Sequence, residues 1–79
     1  MKLSTAVSLR IKELAKKESM SINKLAINSC VTQSTLQSIV QEDYSSPTLL
    51  SILRICYGLN ITVQDFFNSK LFIDVDLNI

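Results

Sequence analysis

Ser21 to Gln41 reads SINKLAINSCVTQSTLQSIVQ, two short helical patterns separated at Ser29-Cys30-Val31. The remainder of the chain reads as support for this unit. Ser21 is placed to cap a helix whose inner face is Ile22, Leu25 and Ala26, with Asn23, Lys24 and Asn28 turned outward. After the break, Thr32 is placed to accept a bond from the early amides of a second helix. Val31 and Leu36 stand just before the cap and at the fourth helical position, where a hydrophobic staple requires them. Two independent start signals therefore agree on Thr32. Leu36, Ile39 and Val40 face inward, which leaves Gln33, Ser34, Gln37, Ser38 and Gln41 on an open face that is polar and uncharged.

Working outward, Leu3, Val7, Ile11 and Leu14 recur at helical spacing and predict a helix to about Glu18, with Ser4 or Thr5 as its cap. Arg10, Lys12, Lys16 and Lys17 lie mostly off that stripe and read as a solvated face in preference to phosphate contacts. Glu42 to Pro47 carries turn chemistry. The next helix has Leu49, Ile52, Leu53 and Cys56 as its apolar stripe, starts either at Ser46-Pro47 or at Thr48, and ends on Gly58 in a left-handed conformation. Thr62 with Asp65, and Ile61 with Phe66, predict a short fifth helix over about Val63 to Asn68. From Leu71 the period changes to two. Leu71, Ile73, Val75, Leu77 and Ile79 alternate with Phe72, Asp74, Asp76 and Asn78, a strand pattern. A lone strand leaves its ladder groups unpaired, so its simplest partner is the same strand of a second copy; a frayed terminus is the competing reading.

At 79 residues and 47% apolar composition the chain is one domain, small for a self-sufficient core. Net charge is +1, but residues 1–54 hold seven Lys or Arg against four Asp or Glu, and residues 55–79 hold one against three. The N-terminal part is therefore the basic part. An apolar run of spanning length and a signal-peptide pattern are both missing, so the expectation is a soluble, cytoplasmic protein without membrane association. Cys30 and Cys56 stand apart and His is absent, which gives no metal site and no Cys-His nucleophile, and both thiols read as reduced. A single Gly draws no phosphate loop, and no carboxylate pair is set among apolar neighbours. The chain reads as no enzyme, with no cofactor and no small-molecule ligand.

These elements, in this order, resemble the helix-turn-helix domain of the phage Cro and C1 repressors and the related Xre-type bacterial regulators. The resemblance covers about Val7 to Asn68. It is carried by RIKELAKKESMS at Arg10 to Ser21, Leu25-Ala26, VTQSTLQSI at Val31 to Ile39, PTLLSILRIC at Pro47 to Cys56 and GLNITVQDFF at Gly58 to Phe67. It implies an all-α, compact five-helix, lambda-repressor-like DNA-binding domain over residues 1–69, followed here by a short C-terminal β-strand at 70–79 as a dimerisation tail. The helix after the turn is the one such proteins lay in the DNA major groove.

Three departures stand out. Cys30 occupies the turn position where many members have Gly, and a left-handed conformation there costs about 1 kcal/mol. Ile22 stands where many members have a phosphate-binding Gln. Ala15 and Val40 replace an Arg and a Glu that often form a partly buried ion pair; both partners are gone together, so no orphan charge is left.

By family position, Gln33, Ser34 and Ser38, with Gln37 next, are expected to face the bases, since Gln matches N6 and N7 of adenine and Ser reaches several edges. Thr32 and Thr35 are expected at phosphates near the helix N-terminus, extended by Lys24, Gln41, Tyr44, Ser45 and Ser46. Leu71, Ile73, Val75, Leu77 and Ile79 are the expected dimer contacts. The functional expectation is a dimeric, repressor-like transcriptional regulator on double-stranded DNA, reading a palindrome-like operator, with a shallow salt dependence for one domain. The rival expectation is a protein-binding module, an antitoxin-like or anti-repressor partner that keeps the helix-turn-helix core for stability. The uncharged face, Ile22 and the apolar tail favour it.

Overall fold

A computed structural model of the chain describes residues 1–42 and 47–76. Tyr44, Ser45 and Ser46, and Leu77 and Ile79 of the tail, lie outside the described residues. Five helices follow in order: α1 (Leu3–Lys17), α2 (Ile22–Ser29), α3 (Gln33–Val40), α4 (Leu49–Leu59) and α5 (Val63–Phe67). They enclose a single core of Val7, Ile11, Leu14 and Ala15 from α1, Leu25 and Ala26 from α2, and Leu36, Ile39 and Val40 from α3. Ile52, Ile55, Cys56 and Leu59 from α4 and Phe66 from α5 complete it. α2 is the central element, packed against both α3 and α4, while α1 backs α3.

The caps that define α2 to α5 are side-chain hydroxyls. Ser21, Thr32, Thr48 and Thr62 each accept from the backbone N–H three residues on, satisfying one of the orphan donors at each helix start. Thr48, not Ser46-Pro47, therefore opens α4. α1 departs from expectation. Lys2 occupies its cap position without a side-chain bond, Ser4 is buried, and the Thr5 hydroxyl instead donates to Glu42 Oε1 at the end of α3. Lying inside the first turn and not at its cap, the Thr5 hydroxyl is free for this tertiary contact.

Gly58 does not end α4. It sits inside the helix, and Asn60 takes the left-handed conformation (φ 58°) while the Ile61 N–H donates to the Cys56 carbonyl. What Gly58 supplies is room. A Cβ built there would lie 2.0 Å from Ser29 Oγ and 2.9 Å from Ser29 N, so α2 and α4 cross backbone to backbone at this point. That crossing also rotates α4 away from its expected register. Ile52, Ile55, Cys56 and Leu59 face the core, and Leu49 and Leu53, expected inside, are exposed.

The C-terminal strand is not formed over its described part. Lys70–Phe72 is a single 3-10 turn, Ile73 is in the right-handed helical region, and Asp76 makes one isolated parallel bridge to Lys2. The alternation failed because the side chain the core takes up has the opposite parity. Phe72 packs edge to face on Phe67, centroids 4.8 Å apart, and lies 6.0 Å from Phe66, while Ile73 points to solvent. The tail's donors are met within the chain, by Ser69 O, Lys70 O and, at Asp76 N, by Met1 O at 2.8 Å. The amides of Leu71, Phe72, Ile73 and Asp76 are thus engaged within the chain rather than set in a ladder edge.

Arg10 is likewise no solvated residue. Its guanidinium donates to the carbonyls of Phe66 and Asp65 at 2.8 Å and pairs with Glu13, tying α1 to the C-terminal end of α5, where carbonyls lack helical partners. Ala15 and Val40 are both buried and share the core, the apolar exchange expected for the lost ion pair. Beside them, the buried Ser8 hydroxyl donates to the Val40 carbonyl at 2.6 Å.

Candidate nucleic-acid interface

The turn between α2 and α3 is made by the residue that lacks the usual glycine. Cys30 is left-handed (φ 57°, ψ 35°), and the following N–H, of Val31, reaches back to the Ala26 carbonyl at 3.2 Å, closing a Schellman-type end on α2. The Cys30 side chain is exposed, so its Cβ meets backbone strain and no packing clash. Val31, half-buried, packs onto the core that holds Leu36, and this contact sets the angle at which α3 leaves the turn.

At the start of α3 one hydroxyl does two jobs. Thr32 Oγ1 accepts from the Thr35 N–H at 3.0 Å and donates to Thr35 Oγ1 at 2.8 Å. The two hydroxyls share one hydrogen bond, so between them one proton remains to offer an outside acceptor. Thr32 is exposed and Thr35 half-buried, side by side at the start of α3.

Gln33, Ser34, Gln37 and Gln41 are exposed and Ser38 is half-buried, together forming the outward face of α3. Inward, Leu36, Ile39 and Val40 lock the helix to α1 and α2. The face is thus a display of amide and hydroxyl groups that can both donate and accept hydrogen bonds. Lys24, exposed on the first turn of α2, is the cation of the motif. Glu42 is the acid, and Thr5 of α1 holds its carboxylate. That hydroxyl contact at the tail end of α3 had no sequence signal, since Thr5 and Glu42 are 37 residues apart.

Among the described residues, no group of three or more His, Cys, Asp or Glu side chains is arranged to hold a metal ion. No described helix is long and apolar enough to cross a membrane.

Comparison with known proteins gives one finding. The family described as the Cro/C1-type HTH DNA-binding domain matches this chain over residues 10–70. The matched span opens at the arginine that ties α1 to α5 and closes just past α5. No curated protein and no solved structure matches the chain.

Proposed function

The chain belongs to the Cro/C1-type helix-turn-helix DNA-binding domain family, and from that premise we propose that it is a sequence-specific transcriptional regulator acting as a repressor. In this reading α3 enters the major groove, with Gln33, Ser34, Gln37 and Ser38 at base edges. Thr32, Thr35, Lys24, Gln41 and the amides at the start of α3 meet the flanking phosphates, and Thr32 also caps that helix start. Tyr44, Ser45 and Ser46 extend the backbone contacts. Repression requires only occupancy, since a domain seated in the groove blocks other proteins from the same DNA.

The observation that carries the reading is the outward face of α3. It is polar, exposed and uncharged, on a helix held at both ends by capping and core contacts. Such a face supplies discrimination more than bulk affinity, because few phosphates are neutralised. Two domains on a palindrome-like site therefore act together, with half-sites about one helical turn, roughly 34 Å, apart.

Selection of binding sites from random duplex DNA tests this. The expected product is an inverted repeat whose binding weakens by about 1–3 kcal/mol at one base position per half-site in Gln33→Ala. Recovery of no enriched sequence, or equal binding of a Gln33→Ala, Ser34→Ala double variant to the selected site, rejects the groove assignment. The former result would leave the chain as a protein-binding module on the same fold.

A further inference from the structure

α3 is held at its two ends by different means. At its start the hold is local: Thr32 caps the first turn and Val31 packs onto the core. At its end the hold is tertiary and comes from α1. The buried Ser8 hydroxyl donates to the Val40 carbonyl at 2.6 Å, one of the carbonyls that a helix end leaves without a helical partner. One turn nearer the start of α1, the Thr5 hydroxyl donates to Glu42 Oε1. Glu42 is the residue just past the Gln41 cap, and its backbone is left-handed (φ 63°), with its N–H on the Ile39 carbonyl. A side chain in that conformation carries strain that a glycine would not. What its carboxylate gains lies on α1, whose first turn has neither a side-chain cap nor an acidic residue of its own. Glu42 brings a negative charge to that positive helix end. The contact joins two helix ends that each lack a local partner.

We propose that Thr5 is a positioning residue for base recognition: through Glu42 it fixes the C-terminal end of α3 and so sets where Gln37 and Ser38 meet the bases. The inference rests on the groove reading above. α3 spans eight residues and acts as a lever. With its start fixed at Thr32, a change in tilt moves Gln33 little and moves Ser38, about 9 Å further along, the most. Hydrogen bonds to base edges demand placement within about 0.5 Å. Phosphate contacts by Lys24 and the helix-start amides carry no sequence information and act over a longer range. Loosening the far end therefore costs discrimination before it costs affinity for DNA in general. The loss is uneven, falling on the base positions read by Gln37 and Ser38 and sparing the one read by Gln33. Thr5 touches no base in this arrangement and acts only through Glu42.

Site selection from random duplex DNA with the full chain tests this, with far-UV circular dichroism to verify folding. Gln33→Ala and Gln37→Ala each identify their own base position by the column of the selected motif that flattens. Thr5→Val removes the hydroxyl at nearly constant volume, and Thr5→Ser keeps it. In Thr5→Val, base preference at the Gln37 position is expected to fall about fivefold or more, with the Gln33 position unchanged and unrelated duplex bound within about twofold of wild type. Thr5→Ser should select the wild-type motif, and in a Glu42→Ala background Thr5→Val should change the motif no further. Without DNA, the Gln41 and Glu42 amides of Thr5→Val should exchange with solvent about fivefold or more faster than in wild type, and the Leu25 amide at the wild-type rate. A wild-type motif from Thr5→Val, equal flattening at every position, loss in Thr5→Ser as in Thr5→Val, or unchanged exchange at the end of α3 each overturn the proposal. Equal flattening is what a general loss of stability gives. Failure of the groove reading looks different: the wild type itself selects no motif while Thr5→Val still speeds exchange at Gln41 and Glu42, which withdraws the part of Thr5 in reading bases along with that reading.

Discussion

The outward faces of α3 and α4 differ in kind. Both helices lean on α2 and turn one side to water, yet α3 shows amides and hydroxyls where α4 shows three leucines and a tyrosine. A polar face on a short helix costs nothing in solvent, so by chemistry alone it says little; its meaning comes from the capped turn before it and from the family to which the chain belongs. A contiguous apolar face in water is unfavourable in itself, and physical chemistry alone asks for its partner.

The comparison breaks most completely if the shared support is removed. Leu36 is fully buried beneath the α3 face, and Leu36→Ala is expected to cost about 2–5 kcal/mol in urea denaturation, with DNA binding lost alongside. Gly58→Ala should cost about 1–3 kcal/mol, because the new Cβ meets the Ser29 backbone as well as its hydroxyl, outweighing the gain in helix propensity. Ser29 Oγ is buried and has no hydrogen-bond partner among the described residues. Ser29→Ala is therefore expected to be neutral or stabilising, and adding it to Gly58→Ala should recover only part of the loss, the backbone clash remaining.

The helical frame was legible in the sequence because its signals are local. Ser21, Thr32 and Thr62 cap where their spacing placed them, and the αL residue at the turn is Cys30 as its position required. The polar face of α3 was legible for the same reason. What was not legible depends on contacts between distant segments. Gly58 looked like a helix end, since glycine serves both as a left-handed cap and as a gap for another backbone; only the neighbour at Ser29 decides which. The stripe of α4 was misplaced by one row, because Leu49, Leu50, Ile52, Leu53, Ile55, Cys56 and Leu59 are apolar over more than half the helix circumference and period alone does not choose a side. The tail's alternation was real in sequence, but a single phenylalanine of the wrong parity, Phe72, found an aromatic pair to join.

The two cysteines sharpen the contrast between outside and inside at smaller scale. Cys30 is exposed in the turn before α3, and Cys56 is buried on the core side of α4, where burial pushes its thiol above the usual 9.0. A thiol reagent at mildly alkaline pH should modify Cys30 in the native protein and reach Cys56 only on unfolding. A raised folded-state value means that the neutral thiol is favoured by folding. Its contribution is present in full below the unfolded-state value and is lost as pH rises toward the folded one. Wild-type stability should accordingly fall more steeply above about pH 9 than that of Cys56→Ala, measured by thermal melts across that range.

The smallest effect separates the two faces most cleanly. Leu49→Gln with Leu53→Gln alters only exposed positions of α4, so in dilute solution the unfolding free energy should stay within about 0.5 kcal/mol of wild type. The corresponding pair on α3, Gln33→Ala with Ser34→Ala, should leave stability as little changed, yet lose binding to the selected half-site, which the α4 variant should keep. An α4 variant that unfolds markedly more easily than wild type would mean that Leu49 and Leu53 pack against the chain and do not form a free face.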